Sequence, residues 1–257
     1  MLELKNICTY FNRKTVDEMQ LFDKFCLSVN KGEFISVVGS NGSGKTTMLN
    51  LICGTLTPDS GEVIFNGKNI TKLSEHKRAK YIGRVFQDPK AGTCSNLTVL
   101  ENFALADNKN RVYSLASAVN KKRIDLYRSL LEKCNMGLED RMNVPVGSLS
   151  GGQRQAIALV IAGMTKVDLL ILDEHTAALD PKSSETIMQI TDNLIKENSL
   201  TALMVTHNLR YSVEYGSRLI MMDKGKIILD KSGEDKKNVK TDDILKIFNE
   251  ISIECGN

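Results

Sequence analysis

The stretch VGSNGSGKTTML, residues 38–49, places three glycines and a lysine at the seam between an apolar run, FISVV, and a run with helical spacing, KTTMLNLICG. So little side chain leaves the backbone free to curl until its NH groups point inward at an anion. The following helix N-terminus adds partial positive charge and Lys45 a full one. Gly39, Ser40, Asn41, Gly42, Ser43, Gly44, Lys45 and Thr46 fit GxxxxGK[ST] in the strand, loop and helix context that the pattern demands. The predicted ligand is the phosphate tail of a nucleoside triphosphate, held by these residues with Thr47, while the Thr46 hydroxyl faces Mg²⁺.

Around this loop, short apolar runs alternate with longer helical patterns, which predicts an α/β fold with a mostly parallel sheet covered by helices. The chain begins differently. LELKNI, LFDKFCLSVN and EVIFNGKNI alternate or run apolar between turn signals, so they predict an antiparallel β layer against the main sheet. KTTMLNLICG reads as a helix ending at Gly54, and YIGRVF as a strand. Beyond it the strand signals stop. Thr98 and Glu101 stand at capping-box spacing, and VYSLASAVNKKRIDLYRSLLEKC has helical periodicity, so an inserted all-helical section is expected. VDLLILD, LTALMVT and RLIMMD return as strands, separated by the helices PKSSETIMQITDNLIKE and NLRYSVEY, and Thr241 opens one last amphipathic helix expected to pack on the core. The expected organisation is a core of 1–87 and 161–232, a helical subdomain of 88–160 and a tail of 233–257.

The 257 residues suffice for one large domain, or a core with an insertion, without a disulfide staple. Lysines and arginines number 34 against 31 acidic residues, a net charge of +3 spread along the chain, which is too mild to indicate a nucleic-acid partner. A small basic cluster such as Lys121, Lys122 and Arg123 is expected to be a solvated helix face. Six scattered cysteines without a CxxC pair suit a reducing compartment rather than a zinc site. No signal-peptide pattern opens the sequence, and AIALVIAGM and LLIL fall short of a membrane span, so a soluble chain is expected, with any membrane role coming through a partner.

Two further stretches carry chemistry. VDLLILDEHTAALD, residues 167–180, delivers Asp173 and Glu174 to the C-terminal end of a buried strand, where open α/β sheets bind ligands. There Asp173 can hold a metal through its water shell and Glu174 can polarise a water for attack on a γ-phosphate. Alone, such a pair is more often a helix cap. LSGGQRQ, residues 149–155, sets Ser150, Gly151, Gly152 and Gln153 at the head of a helical run, so a hydroxyl and NH groups face outward with a helix dipole behind them. It is a second phosphate site in one chain, and a single polypeptide cannot easily fold it onto the first, which implies two copies.

With LSGGQ the sequence resembles the ATP-binding subunits of ATP-binding-cassette (ABC) transporters, over nearly the whole chain and with the motifs in the family's order. The resemblance implies the ABC ATPase fold, ATP hydrolysis with Mg²⁺, and a homodimer that sandwiches ATP between Lys45 and Thr46 of one copy and Ser150 and Gly152 of the other. It implies that Phe11, with neighbouring Tyr10 as the alternative, stacks on adenine, and that Gln87 in VFQDP reaches Mg²⁺ and the attacking water. Asp180 in AALD would cross to the opposite site, and His207 in VTHN would contact the γ-phosphate and hold Glu174 and its water. His175 and Thr176 depart from the family's commonest pattern, as does IALVIAG after the signature, and neither change removes an ATP ligand. DEHTAALDPK, VTHNLR and RLIMMDKGKIILD are similar to ATP-binding subunits for tryptophan/tyrosine uptake. That likeness implies an integral-membrane permease, an extracytoplasmic binding lipoprotein and a place on the cytoplasmic face of the plasma membrane. A DNA-repair or ribosome-associated ABC ATPase would need long coiled coils or two cassettes in one chain, neither of which is present, and a non-catalytic assembly subunit fits poorly with Glu174 and His207 in place.

Overall fold

The chain begins with two long strands, β1 (Leu2–Phe11) and β2 (Met19–Val29), paired antiparallel with Leu2 opposite Val29 and Phe11 opposite Met19. Next come β3 (Phe34–Gly39) and α1 (Lys45–Cys53), then the hairpin β4 (Ser60–Phe65) and β5 (Lys68–Asn69), and α2 (Glu75–Arg78). Asn66 and Gly67 turn that hairpin with φ of 49° and 75°, the geometry that Asn-Gly favours. In a computed structural model that describes residues 1–109, 118–165 and 167–254, the chain divides into two units, Met1–Ala79 with Leu200–Asn257, and Lys80–Ser199.

The second unit holds β6 (Ile82–Val85), α3 (Val99–Asp107), α4 (Ile124–Glu132), α5 (Gly151–Met164), β7 (Leu169–Asp173) and α6 (Pro181–Asn198). The chain then returns to the first with β8 (Thr201–Val205), α7 (Leu209–Glu214), β9 (Arg218–Asp223), β10 (Lys226–Ser232), α8 (Gly233–Lys237) and α9 (Thr241–Glu254).

Within the first unit two sheets form. The antiparallel one runs β2-β1-β4-β5, and the other runs β10-β9-β3-β8, with β3 parallel to both β8 and β9. All six residues of β3 are buried, as a strand flanked on both sides and covered on both faces must be. The layers meet where Arg218 donates to the Ser28 carbonyl at 2.8 Å. β10 is exposed and half-buried by turns, an edge strand that the apolar-run criterion passes over. The tail packs as expected: Ile244 is fully buried in a cluster with Val38, Leu219 and Met221, against which Leu209, Val213 and Phe248 also lie. The Lys236 ammonium caps the end of α7 by donating to the carbonyls of Val213 and Tyr215.

α1 starts where the glycine loop ends and stops at Gly54, whose φ of 84° only glycine adopts cheaply. Its last carbonyls receive an unexpected partner. Arg78, 1% exposed, donates to Leu51 at 2.7 Å and Ile52 at 3.0 Å, and also to the carbonyls of Thr71 and Leu73. A guanidinium held at a helix C-terminus is favoured by the dipole, although burial lowers its pKa.

In the second unit, β6 and β7 pair in parallel with Arg84 opposite Ile171. Thr98 and Glu101 form the capping box the sequence predicts at the head of α3. The helical section departs from expectation in two ways. Thr98 and Pro145 make an isolated antiparallel bridge, and the described part of the helical pattern, from Ala118, is not helical throughout. Residues 112–117 lie outside the described residues, and Asn120 caps a 3-10 turn, Lys121–Arg123, through the Lys122 NH, so α4 begins only at Ile124. An Asn side chain that bonds its own backbone competes with helix propagation. Nor is Arg123 simply solvated, since it grips Asp107 with two bonds of 2.8 Å. Among the described residues no helix is long and apolar enough to cross a membrane.

Candidate functional site

β3 delivers the glycine loop with no slack at its first residue. A Cβ on Gly39 would sit 2.3 Å from the Met222 carbonyl oxygen, so only glycine lets β3 pass β9 there. The loop closes on itself around Lys45, whose Nζ donates to the carbonyls of Gly39 at 2.7 Å and Ser40 at 2.9 Å and lies 3.5 Å from Ser43 Oγ. Lys45 is only 5% exposed. At the N-cap of α1, Gly44 offers no capping side chain, so the first NH groups of the helix receive none. An uncapped helix N-terminus beside a covered ammonium is a site built for an anion. Asn41, Gly42 and Thr46 are exposed around it, and Thr47 is half-buried.

Two more expected residues belong to the same unit. His207 is exposed in the turn between β8 and α7, a turn fixed on both sides. Asn208 NH bonds Thr206 Oγ1 at 3.0 Å, and the Asn208 side chain caps α7 at Tyr211 NH. Tyr10 and Phe11 end β1, both half-buried. The Arg13 guanidinium lies 4.6 Å from the Tyr10 ring centroid, so one face of Tyr10 is already engaged, whereas Phe11 holds the last strand position opposite Met19.

In the other unit, the buried run of β7 ends at Asp173, whose carboxylate meets Arg84 Nη2 at 2.7 Å. Glu174 follows with φ of 49°, an uncommon conformation for a residue with a side chain, and its carbonyl accepts from Ala177 NH to close the turn. Asp180 caps α6 by accepting from Ser183 NH, and that bond, with the Ser183 side chain as the largest cause, holds its carboxyl below the usual range. Gln87 is exposed just after β6, and its neighbour Phe86 is anchored by Gln155, whose Nε2 donates to the Phe86 carbonyl at 3.0 Å.

Ser150 and Gln153 form a reciprocal capping box at the head of α5. The Gln153 NH is thereby occupied by Ser150 Oγ, and the Gln153 amide also donates to Met136 O; Ser150 is exposed and Gly151 half-buried at this helix start, while Gly152 is buried. A Cβ on Gly152 would stand 3.0 Å from the Ser183 side chain, which packs the start of α5 on the start of α6.

Sequence patterns gave Arg84 and Gln155 no role. The one signal was a charged residue inside the apolar strand YIGRVF.

His175 turns inward from Glu174. It is 2% exposed and its Nε2 lies 3.1 Å from Thr191 Oγ1, which itself donates to the Ile187 carbonyl at 2.7 Å. With that hydrogen committed, the hydroxyl can only accept, so Nε2 carries the imidazole proton. Burial pushes the His175 pKa down from 6.5 to about 4. The unfolded chain therefore binds a proton that the folded chain refuses between those values. Stability is expected to fall as pH drops from 6.5 towards 4 and to level off below, by about 3 kcal/mol in all from this residue. Urea unfolding of the wild type and of His175→Gln across this window checks it: the variant should lose that part of the slope, and an unchanged slope would refute it.

The glycine loop, the uncapped helix and the buried lysine define a phosphate-loop nucleotide-binding protein. The chain matches the ABC transporter family over residues 22–177, and it belongs to that family. The tyrosine transport ATP-binding protein of Clostridioides difficile (strain R20291) is 41% identical over 248 residues, covering 96% of this chain and 98% of that one. The xylose/arabinose import ATP-binding protein XylG of Sulfolobus acidocaldarius is 30% identical, over 96% of this chain and 94% of that one. Among solved structures, the dimeric cassette MJ0796 in a post-hydrolysis state with ADP and Pi is 30% identical with a TM-score of 0.76, over 90% of this chain and 98% of that one. The ADP form of MJ1267, an ATP-binding cassette of an ABC transporter, is 28% identical with a TM-score of 0.78, over 100% and 99%. The protein is thus the ATP-binding subunit of an ABC transporter and an ATPase, and the repair and assembly alternatives are not favoured.

Proposed function

We propose that the chain powers solute uptake, with aromatic amino acids as the substrate class, from the cytoplasmic face of the plasma membrane. Two copies dock on an integral-membrane permease, which an extracytoplasmic binding lipoprotein supplies. The observation that carries this is the 41% identity, over nearly the full length of both chains, to a protein named for tyrosine transport.

In the proposed cycle Phe11 stacks on adenine, and Gly39 to Gly44 with Lys45 and Thr47 receive the phosphates as the lysine exchanges loop carbonyls for phosphate oxygens. Ser150, Gly151 and Gly152 of the second copy approach the γ-phosphate, and Gln153 keeps that loop in shape. Asp180 sets the turn that faces the other copy. Glu174 accepts a proton from the attacking water, and His207 holds the γ-phosphate. The Thr46 hydroxyl, the Gln87 amide oxygen and the Asp173 carboxylate are hard oxygen donors of the kind that Mg²⁺ prefers, and the bound ion would supply positive charge to the phosphate oxygens. ATP closes the pair of copies only through its greater affinity for the closed state, and loss of the γ-phosphate releases it.

The test is recovery of partners. Tagged Glu174→Gln protein, isolated with ATP from detergent-solubilised membranes, should bring down a multi-span permease identified by mass spectrometry. Ribosomal or DNA-repair proteins without any membrane protein would overturn the transport assignment.

A further inference from the structure

We propose that Arg84 is a resident competitor for the divalent cation at Asp173, so that metal entry requires the guanidinium to give way. The proposal rests on Asp173 being a metal ligand, as assigned above.

The parallel register sets Arg84 opposite Ile171, two residues before Asp173, and side chains two apart on a strand share a face. Arg84 Nη2 meets Asp173 Oδ2 at 2.7 Å, with only 13% and 15% of the two side chains exposed. On its other side the guanidinium lies 4.8 Å from the Phe86 ring centroid. The cation is therefore held from two directions, by charge and by an aromatic face.

This placement has opposite effects on the two states of the site. Without metal, Arg84 neutralises a carboxylate that would otherwise be largely covered with no counter-charge, and losing one partner of such a pair is destabilising. When a dication arrives, the carboxylate oxygen is already engaged, and the fixed guanidinium repels the incoming charge where little water screens it. Arg84 thus stabilises the metal-free form and weakens the metal-bound one. Phe86 immediately precedes Gln87, the other proposed oxygen ligand of this unit, and its carbonyl is pinned by Gln155, so the ring offers the displaced guanidinium a fixed surface beside the site. Arg84 acts through Asp173 and is a positioning residue.

The full chain is titrated with Mn²⁺ at a fixed ADP concentration, and free Mn²⁺ is read by electron paramagnetic resonance. Arg84→Gln keeps a hydrogen-bond donor and removes the charge; it should bind Mn²⁺ about tenfold more tightly than the wild type. Its Tm without metal should fall, and saturating Mn²⁺ with ADP should raise it by more than it raises the wild type. Arg84→Lys keeps the charge but loses the planar hold, so it should tighten binding by about threefold, and it gives the sign of the effect if the neutral variant does not fold. Unchanged or weaker Mn²⁺ binding in these variants would overturn the proposal, because Arg84 would then serve to orient the carboxylate for metal. Asp173→Asn separates the two levels. If it binds Mn²⁺ as well as the wild type, the ligand assignment fails and the proposal with it; if it loses Mn²⁺ while the Arg84 variants do not tighten, the proposal alone fails.

Discussion

Glu174→Gln is expected to lower ATP turnover by on the order of 10² to 10⁴ while leaving nucleotide affinity near the wild-type value. The substitution keeps the size and hydrogen-bonding reach of the side chain and removes its capacity to take a proton. Glu174 directly follows buried β7 in a turn closed by its own carbonyl and Ala177 NH, and its φ of 49° is a conformation that Gln tolerates as well as Glu does. The fold has no reason to change, so a fall in turnover reports chemistry. With hydrolysis stalled, ATP should hold two copies together, and size exclusion with ATP should show a dimer that the wild type forms only transiently. Phosphate release at the wild-type rate would remove Glu174 from the role of general base.

Lys45→Ala has the next largest expected effect, and it falls on binding. Lys45 Nζ is held by the carbonyls of Gly39 and Ser40, positioned before any phosphate arrives. A charge-assisted bond to phosphate is worth about 1.5–3 kcal/mol, so losing two such bonds should weaken ATP binding by on the order of a hundredfold or more. The loop should also loosen, because carbonyls that pointed at an ammonium would point at one another. Equilibrium dialysis with labelled ATP measures the first effect and amide exchange across residues 39–47 the second. Wild-type affinity in this variant would count against the phosphate-loop assignment.

The glycine loop was legible because its chemistry is local: a buried strand, three glycines and a lysine must be adjacent in the chain to do their work. The ends of α1 and the cap of α3 were legible for the same reason, since Thr98 and its partner Glu101 are three residues apart, whereas the caps that Ser150 and Asp180 form were not read from the sequence. The Arg84–Asp173 pair was not, because its two members meet only once the register of β6 and β7 is set, and register depends on the packing of the whole sheet. Arg78 is hidden in the same way: nothing in SEHKRAK sets it apart from the charges beside it, yet it is buried on carbonyls of α1 far back in the chain. Asn120 shows the reverse case, a local side-chain bond that overrides a helical period spanning many residues.

The division of the chain also fixes when it can first grip ATP. β3, which carries the glycine loop, takes its flanking partners β8 and β9 from beyond residue 200, while the unit of residues 80–199 is contiguous. On a translating ribosome β3 must therefore wait for strands made on the order of 10 s later at ordinary synthesis rates. A nascent or prematurely terminated chain thus exposes an unpaired apolar strand and holds no nucleotide, so the cell's chaperones and proteases meet it before the permease does.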